Sequence, residues 1–415
     1  MIDTMRMTID QPWLQAAPVQ KVLALLNTGG GQARVSGGAV RNALLDQPVG
    51  DVDIATALLP DEVIQRAEEN GVRAVPTGYE HGTVTLVVDG QAFEVTTLRA
   101  DVETDGRHAV VRFGTDWTED ARRRDLTMNA LYCEADGTVF DPLDGRADVE
   151  ARRVRFIGDA RSRIREDRLR ILRFFRFFAW YGAFRPDADG LRACVKEKNG
   201  LRNLSAERIW QELIKLLAAP DPSRALLWMR QTGVLSVVLE ESEQWGIDGI
   251  HPLIQCEQEN GWESDAMLRL MAIIPPMPAR VSSLSKRLKV PNRVRDRLTA
   301  WASCRLPDED ENPDADGRIF LQWAYWQDRQ AIIDRLHLAI AKSPDDVVAD
   351  TARRRMRDRL SAIQNWERPV FPVRGADLIA AGMEPGPKIS ERMQILERAW
   401  VKSHFTLQRD ALLVT

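Results

Sequence analysis

Two aspartates two residues apart, Asp51 and Asp53, sit in the run Asp51-Val52-Asp53-Ile54-Ala55. In an extended strand such residues share a face, so both carboxylates point one way while Val52 and Ile54 turn toward a core. Just upstream, Ser36-Gly37-Gly38-Ala39-Val40-Arg41 follows a short apolar-polar alternation, Ala33 to Ser36. A strand, a glycine pair and a helix start make an anion cradle. The glycines admit close approach, and the free N–H groups of the first helical turn face the anion. Arg41, one turn in, adds a forked cationic donor. Two carboxylates beside a phosphate cradle form a site for a divalent metal and a nucleoside triphosphate.

A second cluster is cationic. From Arg152 to Arg176 there are ten arginines and three acids (Asp159, Glu166, Asp167), an excess of seven positive charges without a single lysine. Phe174, Phe175, Phe177 and Phe178 are interleaved with them. Arginine alternating with aromatic rings suits a surface that binds phosphates and bases.

The elements that must position these groups follow from periodicity and turn chemistry. A helix spans Pro18 to Leu26 and another Pro60 to Asn70, with Gly71 as its stop. Thr83–Val88 and Ala92–Leu98 alternate as strands joined by Asp89-Gly90, a strong hairpin signal. Glu94 shares a face with Ala92 and Thr96, which makes it a candidate third carboxylate beside Asp51 and Asp53. Residues 100–120 are polar and glycine-containing and read as a long loop. Phe140-Asp141-Pro142-Leu143-Asp144-Gly145 reads as a strand end and turn. From Ala151 onward the period is helical. The fold class is therefore an α/β N-terminal part followed by an all-α remainder.

The totals set limits. At 415 residues the chain is expected to divide into two to four domains. No apolar run is long enough to span a bilayer, and Met1-Ile2-Asp3-Thr4-Met5-Arg6 lacks a signal-peptide pattern, so a cytoplasmic location is expected. Cys133, Cys194, Cys256 and Cys304 have no metal-binding spacing and read as reduced core thiols. No two of the five histidines lie within five residues of each other, which excludes a local histidine metal motif.

Taken in order, several motifs match one family. Ser36-Gly37-Gly38-Ala39-Val40-Arg41 with Asp51-Val52-Asp53 comes first. Arg123-Arg124-Asp125-Leu126-Thr127-Met128-Asn129-Ala130, Asp141 to Gly145, Glu166-Asp167-Arg168-Leu169-Arg170 and Leu204-Ser205-Ala206-Glu207-Arg208 follow. Over roughly residues 30–220 the chain resembles the class II tRNA nucleotidyltransferases, the CCA-adding enzymes, with the bacterial poly(A) polymerases as relatives. The C-terminal Arg374-Gly375-Ala376-Asp377-Leu378 and Gly386-Pro387 look like the family's tail.

The resemblance implies a DNA polymerase β-like nucleotidyltransferase head over residues 1–150. It also implies a helical neck over 151–220, a body over 221–305 and a tRNA-binding tail over 306–415. It places Mg²⁺ on Asp51 and Asp53, with Glu94 as a third catalytic carboxylate. Nucleotide contacts fall on Gly37, Gly38, Arg41, Arg124, Asp167, Arg170, Arg173 and Arg176. The implied reaction adds C-C-A to the 3′ end of tRNA from CTP and ATP without a nucleic-acid template. An A-adding enzyme or a poly(A) polymerase would share these residues. Pro76 to Val84 resembles the CCA-adding form, and the basic segment of bacterial poly(A) polymerases is absent. Asp105-Gly106-Arg107 resembles the flexible element associated with switching from C to A.

Asp167 and Arg170, three apart, are read as neighbours on one helical face. A carboxylate accepts and a guanidinium donates. That order suits cytosine and adenine, which present an amine beside an unprotonated ring nitrogen, and opposes guanine and uracil. Asn42 departs from the family, where aspartate is more frequent, and puts a supporting hydrogen bond or salt link in question. Trp210, Trp228, Trp323 and Trp326 are read as core. Lys286, Arg287, Lys289 and Arg293 to Arg297 are candidate tRNA phosphate contacts. A monomer or weak dimer, no membrane partner and no phosphohydrolase activity complete the expectations.

Overall fold

The strands of the N-terminal part are β1 (Ala33–Ser36), β2 (Ile54–Thr56), β3 (Arg73–Gly78), β4 (Thr83–Val88), β5 (Gln91–Thr97), β6 (Arg99–Asp101), β7 (Val111–Phe113), β8 (Tyr132–Cys133) and β9 (Val139–Phe140). They belong to a computed structural model that describes residues 8–30, 32–101, 111–242, 247–307, 317–342 and 347–414. Seven strands form one sheet in the order β3-β4-β5-β2-β1-β8-β9, and β6 pairs with β7. Among the described residues only the β2–β5 pairing is parallel.

Ile54, Ala55 and Thr56 are all buried, as a strand in the middle of a sheet requires. β4 and β5 instead alternate between buried and accessible positions, with Val84, Leu86, Val88, Phe93 and Val95 inside. The hairpin between them forms as expected: Asp89 and Gly90 take φ of 51° and 80°, the twist a two-residue turn needs. The helix after β2 runs Pro60–Glu69 and ends at Gly71, whose φ is +65°.

Two local expectations change. The segment 100–120 is not a loop throughout. Its ends pair as β6 and β7, and Trp117–Arg123 is a helix capped by the Asp116 carboxylate, which accepts from Thr118 N and Glu119 N. Burial of Trp117 edge-on to Tyr132 anchors that helix, a tertiary contact the local composition does not announce. Asp105-Gly106-Arg107 lies outside the described residues. The strand β3 was not expected, because Pro76 interrupts it; the ladder shifts register between Val75 and Gly78 at the sheet edge, where proline is tolerated.

The chain divides into two units, Met1–Val238 and Leu239–Thr415. In the first, the sheet is followed by helices that include Ala160–Glu166, Arg170–Tyr181 and Ala206–Leu217. In the second, the described elements are all helical. Its apolar clusters centre on Phe320, Ile332, Leu336 and Ile340, and on Tyr325, Leu396, Trp400 and Leu412. Trp210 is buried as expected, Trp228 and Trp323 are half-buried, and Trp326 is 48% exposed, lying edge-on to Tyr325 at the surface. Arg287 pairs with Glu240 and Glu241, and Arg297 with Asp265 and Asp334, so these two cations are engaged by the unit's own carboxylates. Among the described residues, no helix is long and apolar enough to cross a membrane.

Candidate active site

A cleft of about 550 Å³ opens in the first unit. Its walls come from four places: the β1–helix turn (Gly37, Gly38, Arg41), the approach to β2 (Asp53), the segment Arg123–Asn129, and the helices that carry Asp167, Arg170, Arg173, Arg176 and Arg208. Asp53 therefore shares one cavity with Asp167 and Arg170. Asp51 and Glu94 are not part of the lining.

The carboxylate end is built on the parallel β2–β5 pair. Ser36 N donates to Asp53 O at 2.8 Å, which extends the ladder one rung beyond Ile54, so both aspartates lie just ahead of the regular strand. Ile54 stands opposite Val95, and this register sets Glu94 next to Asp53 on the accessible face. Burial raises the Asp53 carboxyl above its usual range, the charges of Glu94 and Asp51 add to the rise, and Arg124 opposes it. Three neighbouring carboxylates opposed by one guanidinium form an acidic donor set of the type that suits a hard divalent cation. Among the described residues no three such side chains close into a finished ligand set.

At the glycine turn, Gly37 takes φ +66° and donates its N–H to Leu131 O at 2.9 Å, and the helix Gly38–Leu44 begins immediately after it. A side chain at Gly37 would put its Cβ 3.1 Å from Arg124 Nη1. Arg41 is only 7% exposed, yet none of its four hydrogen bonds is to a carboxylate. Nη1 donates to Asn129 Oδ1 at 2.6 Å, Nη2 to Tyr181 OH at 2.7 Å and to Asn42 Oδ1 at 2.8 Å, and Nε to Asn42 Oδ1 at 3.2 Å. The rings of Tyr181 and Phe177 flank the guanidinium. Burial lowers its pKa and Tyr181 partly offsets this. Asn42 thus keeps the hydrogen bond in question but brings no negative charge, and none of the acceptors bonded to Arg41 cancels its charge.

Arg124 sits on a different foundation. Asp120, 1% exposed, accepts from Arg123 Nε at 2.7 Å, Tyr132 OH at 2.7 Å and Arg124 at 3.3 Å. Burial works against the charge of Asp120, but Arg124 and Arg123 outweigh it and hold the carboxyl below its usual range.

The third wall differs from the sequence expectation. Asp167 and Arg170 do not share a helical face. Asp167 is extended (φ −147°, ψ 110°) and ends the helix Ala160–Glu166, while Arg170 starts the next helix. Arg170 pairs with Glu166, and Asp167 accepts from Leu169 N at 3.0 Å and from Arg208 Nη2 at 2.7 Å. Arg173 donates to Asp125 and Arg176 to Glu212, both at 2.6 Å. The phenylalanines turn inward: Phe174, Phe175 and Phe178 are buried in the helix packing, and only Phe177 also lines the cleft. A helix whose arginines follow one stripe must bury the opposite one.

Sequence reasoning passed over Asp125, Asn129 and Arg208 as cleft residues, while Phe177 is the one of the four phenylalanines read with the arginines that lines the cleft. Asp125 and Asn129 had a usable signal, since polar groups next to and inside the largely apolar run Leu126–Leu131 need partners when buried. The Asp141–Gly145 motif is structural here. Asp141 accepts from Gly145 N and Arg146 N, and a Cβ on Gly145 would meet Thr127 O at 2.3 Å.

Residues 33–155 match the model of the Poly A polymerase head domain, and residues 183–245 match a probable RNA and SrmB- binding site of polymerase A. A mitochondrial CCA tRNA nucleotidyltransferase 1 from Danio rerio is 34% identical, over 92% of this chain and 86% of its own length. A CCA-adding enzyme from Geobacillus stearothermophilus is 30% identical, over 95% of this chain and 96% of its own. A crystal structure of the Bacillus stearothermophilus CCA-adding enzyme in complex with CTP superposes with a TM-score of 0.74 at 27% identity, covering 98% of this chain and 97% of that one. An α/β head, an all-helical remainder and kinship along nearly the whole length place this chain in the family of class II CCA-adding enzymes and poly(A) polymerase heads, the tRNA nucleotidyltransferases.

Proposed function

We propose that this chain adds C-C-A to the 3′ end of tRNA from CTP and ATP, releasing pyrophosphate at each step, and that the reaction takes place in the cleft described above. The observation that carries the assignment to this cleft is the lining itself: Asp53, the phosphate-facing Arg41 and Arg124, and the acceptor–donor set Asp167, Arg170 and Arg208 open onto one cavity.

Asp51 and Asp53, with Glu94 beside them, would hold Mg²⁺. When bound, the ion supplies acidification of the attacking 3′-hydroxyl and stabilisation of the leaving pyrophosphate. The residues of the chain supply the rest. Gly37 and Gly38 let the backbone approach the triphosphate, and Arg41 and Arg124 offset negative charge on its oxygens. Asp167 accepts from the exocyclic amine of cytosine or adenine and Arg170 donates to the neighbouring ring nitrogen. Arg208 orients Asp167, and Arg173 and Arg176 continue the nucleotide contacts. Uracil or guanine would leave these groups unpaired at about 1–3 kcal/mol each. We read the protein as a monomer or weak dimer; four cysteines that form no disulfide, three of them buried, support a reducing compartment such as the cytoplasm.

The test is incubation with tRNA lacking its terminal nucleotides and labelled CTP or ATP. Two C and one A are expected on each acceptor, with Asp53→Ala inactive. Incorporation of ATP alone, or long A tails, would refute the reading.

A further inference from the structure

Asn129 is 8% exposed and lies on the short turn Thr127–Asn129 at the back of the cleft. Its Oδ1 accepts from Arg41 Nη1 at 2.6 Å, its Nδ2 donates to Asp125 Oδ1 at 3.0 Å, and its backbone oxygen accepts from Arg124 Nη1 at 3.1 Å. Asp125 in turn accepts from Arg173 at 2.6 Å. We propose that Asn129 is the positioning residue for the nucleotide's triphosphate, setting both phosphate-facing guanidiniums from one amide and one carbonyl. The inference rests on the reading of Arg41 and Arg124 as triphosphate contacts.

The chemistry asks for a side chain that both accepts and donates, as an amide does. A guanidinium has only donors and an ionised carboxylate only acceptors. The side chain between Arg41 and Asp125 must therefore accept on one side and donate on the other. Aspartate has the shape but would face Asp125 with no proton to donate, and would cancel the charge of Arg41, whose other acceptors, Asn42 and Tyr181, are neutral. Alanine would leave one Arg41 N–H and one Asp125 oxygen without this partner. The backbone bond to Arg124 survives either change, so the loss falls on Arg41.

Steady-state addition to tRNA lacking its 3′ end tests this with Asn129→Ala, Asn129→Asp, Arg41→Ala and the double variant Arg41→Ala/Asn129→Ala. Asn129→Ala is expected to raise KM for CTP and for ATP about tenfold, equivalent to about 1.4 kcal/mol, with kcat, the KM for tRNA and the preference for CTP over UTP little changed. Asn129→Asp, nearly isosteric, should raise both nucleotide KM values at least as far. The double variant should be no worse than Arg41→Ala alone, because the two residues act as one unit. Nucleotide KM values that stay at wild type in Asn129→Ala and Asn129→Asp, or effects that add fully in the double variant, would overturn the assignment of Asn129. If Arg41→Ala leaves nucleotide KM unchanged, the underlying reading of Arg41 fails instead.

Discussion

Replacing Asp125 by asparagine removes one charge and almost no volume at the junction between the segment after Arg124 and the helix Arg170–Tyr181. Asp125 Oδ2 accepts from Arg173 Nε at 2.6 Å, and Oδ1 accepts from Asn129 Nδ2 at 3.0 Å and Leu126 N at 2.9 Å. An amide has one acceptor where the carboxylate has two, so either Arg173 or Asn129 must face a donor. A hydrogen bond to a charged group contributes about 1.5–3 kcal/mol. The Arg173 side chain is 33% exposed against 8% for Asp125, so solvent discounts the ion pair and about 2 kcal/mol is a fair expectation. For a unit of this size that corresponds to a melting temperature lower by roughly 4–8 °C.

The pH dependence gives a second readout. Burial alone would raise the Asp125 carboxyl, but Arg173 and the hydrogen bonds from Arg173, Asn129 and Leu126 N outweigh it and hold it below the ordinary carboxylate range. A depressed folded pKa contributes stability that is fully present above the unfolded value, near pH 4, and is lost as pH falls through the folded one. The gap between wild type and Asp125→Asn, measured by denaturant titration, should be constant from pH 5 to 8 and close as the solution becomes more acidic. A gap under about 0.5 kcal/mol at neutral pH, or one that widens on acidification, would refute the account.

Two further outcomes follow from the site geometry. Gly37→Ala must adopt φ +66° and ψ −108° with its Cβ 3.1 Å from Arg124 Nη1, which costs about 1–3 kcal/mol and displaces that guanidinium; thermal melts should drop and the KM for both nucleotides should rise. Asp167→Ala removes the acceptor that Arg208 holds in the cleft, so single-nucleotide incorporation should lose roughly ten- to a hundredfold of its preference for CTP and ATP over UTP and GTP, while an unchanged preference would place base choice elsewhere.

What could be read along the chain was what neighbours in sequence settle. The turn at Gly37, the Asp89-Gly90 hairpin, the stop at Gly71 and the alternation that faces Glu94 outward each depend on a few adjacent residues, and each stands in the structure. The Asp51/Asp53 pair and the run of arginines were visible for the same reason: residue type and spacing are read without any tertiary contact. The wall that holds Asp167 and Arg170 was misjudged because one helix ends at Glu166 and the next starts at Arg170, and a periodic rule assumes an unbroken helix. The partners of the cleft groups were out of reach altogether. Arg41 meets Asn129 across 88 positions, Arg173 meets Asp125 across 48 and Asp167 meets Arg208 across 41. The sequence alone determined which residue types stand ready for nucleotidyl transfer and in which local elements. Only the folded chain decided which guanidinium keeps an uncancelled charge, because that depends on whether a distant amide or a distant carboxylate is packed against it.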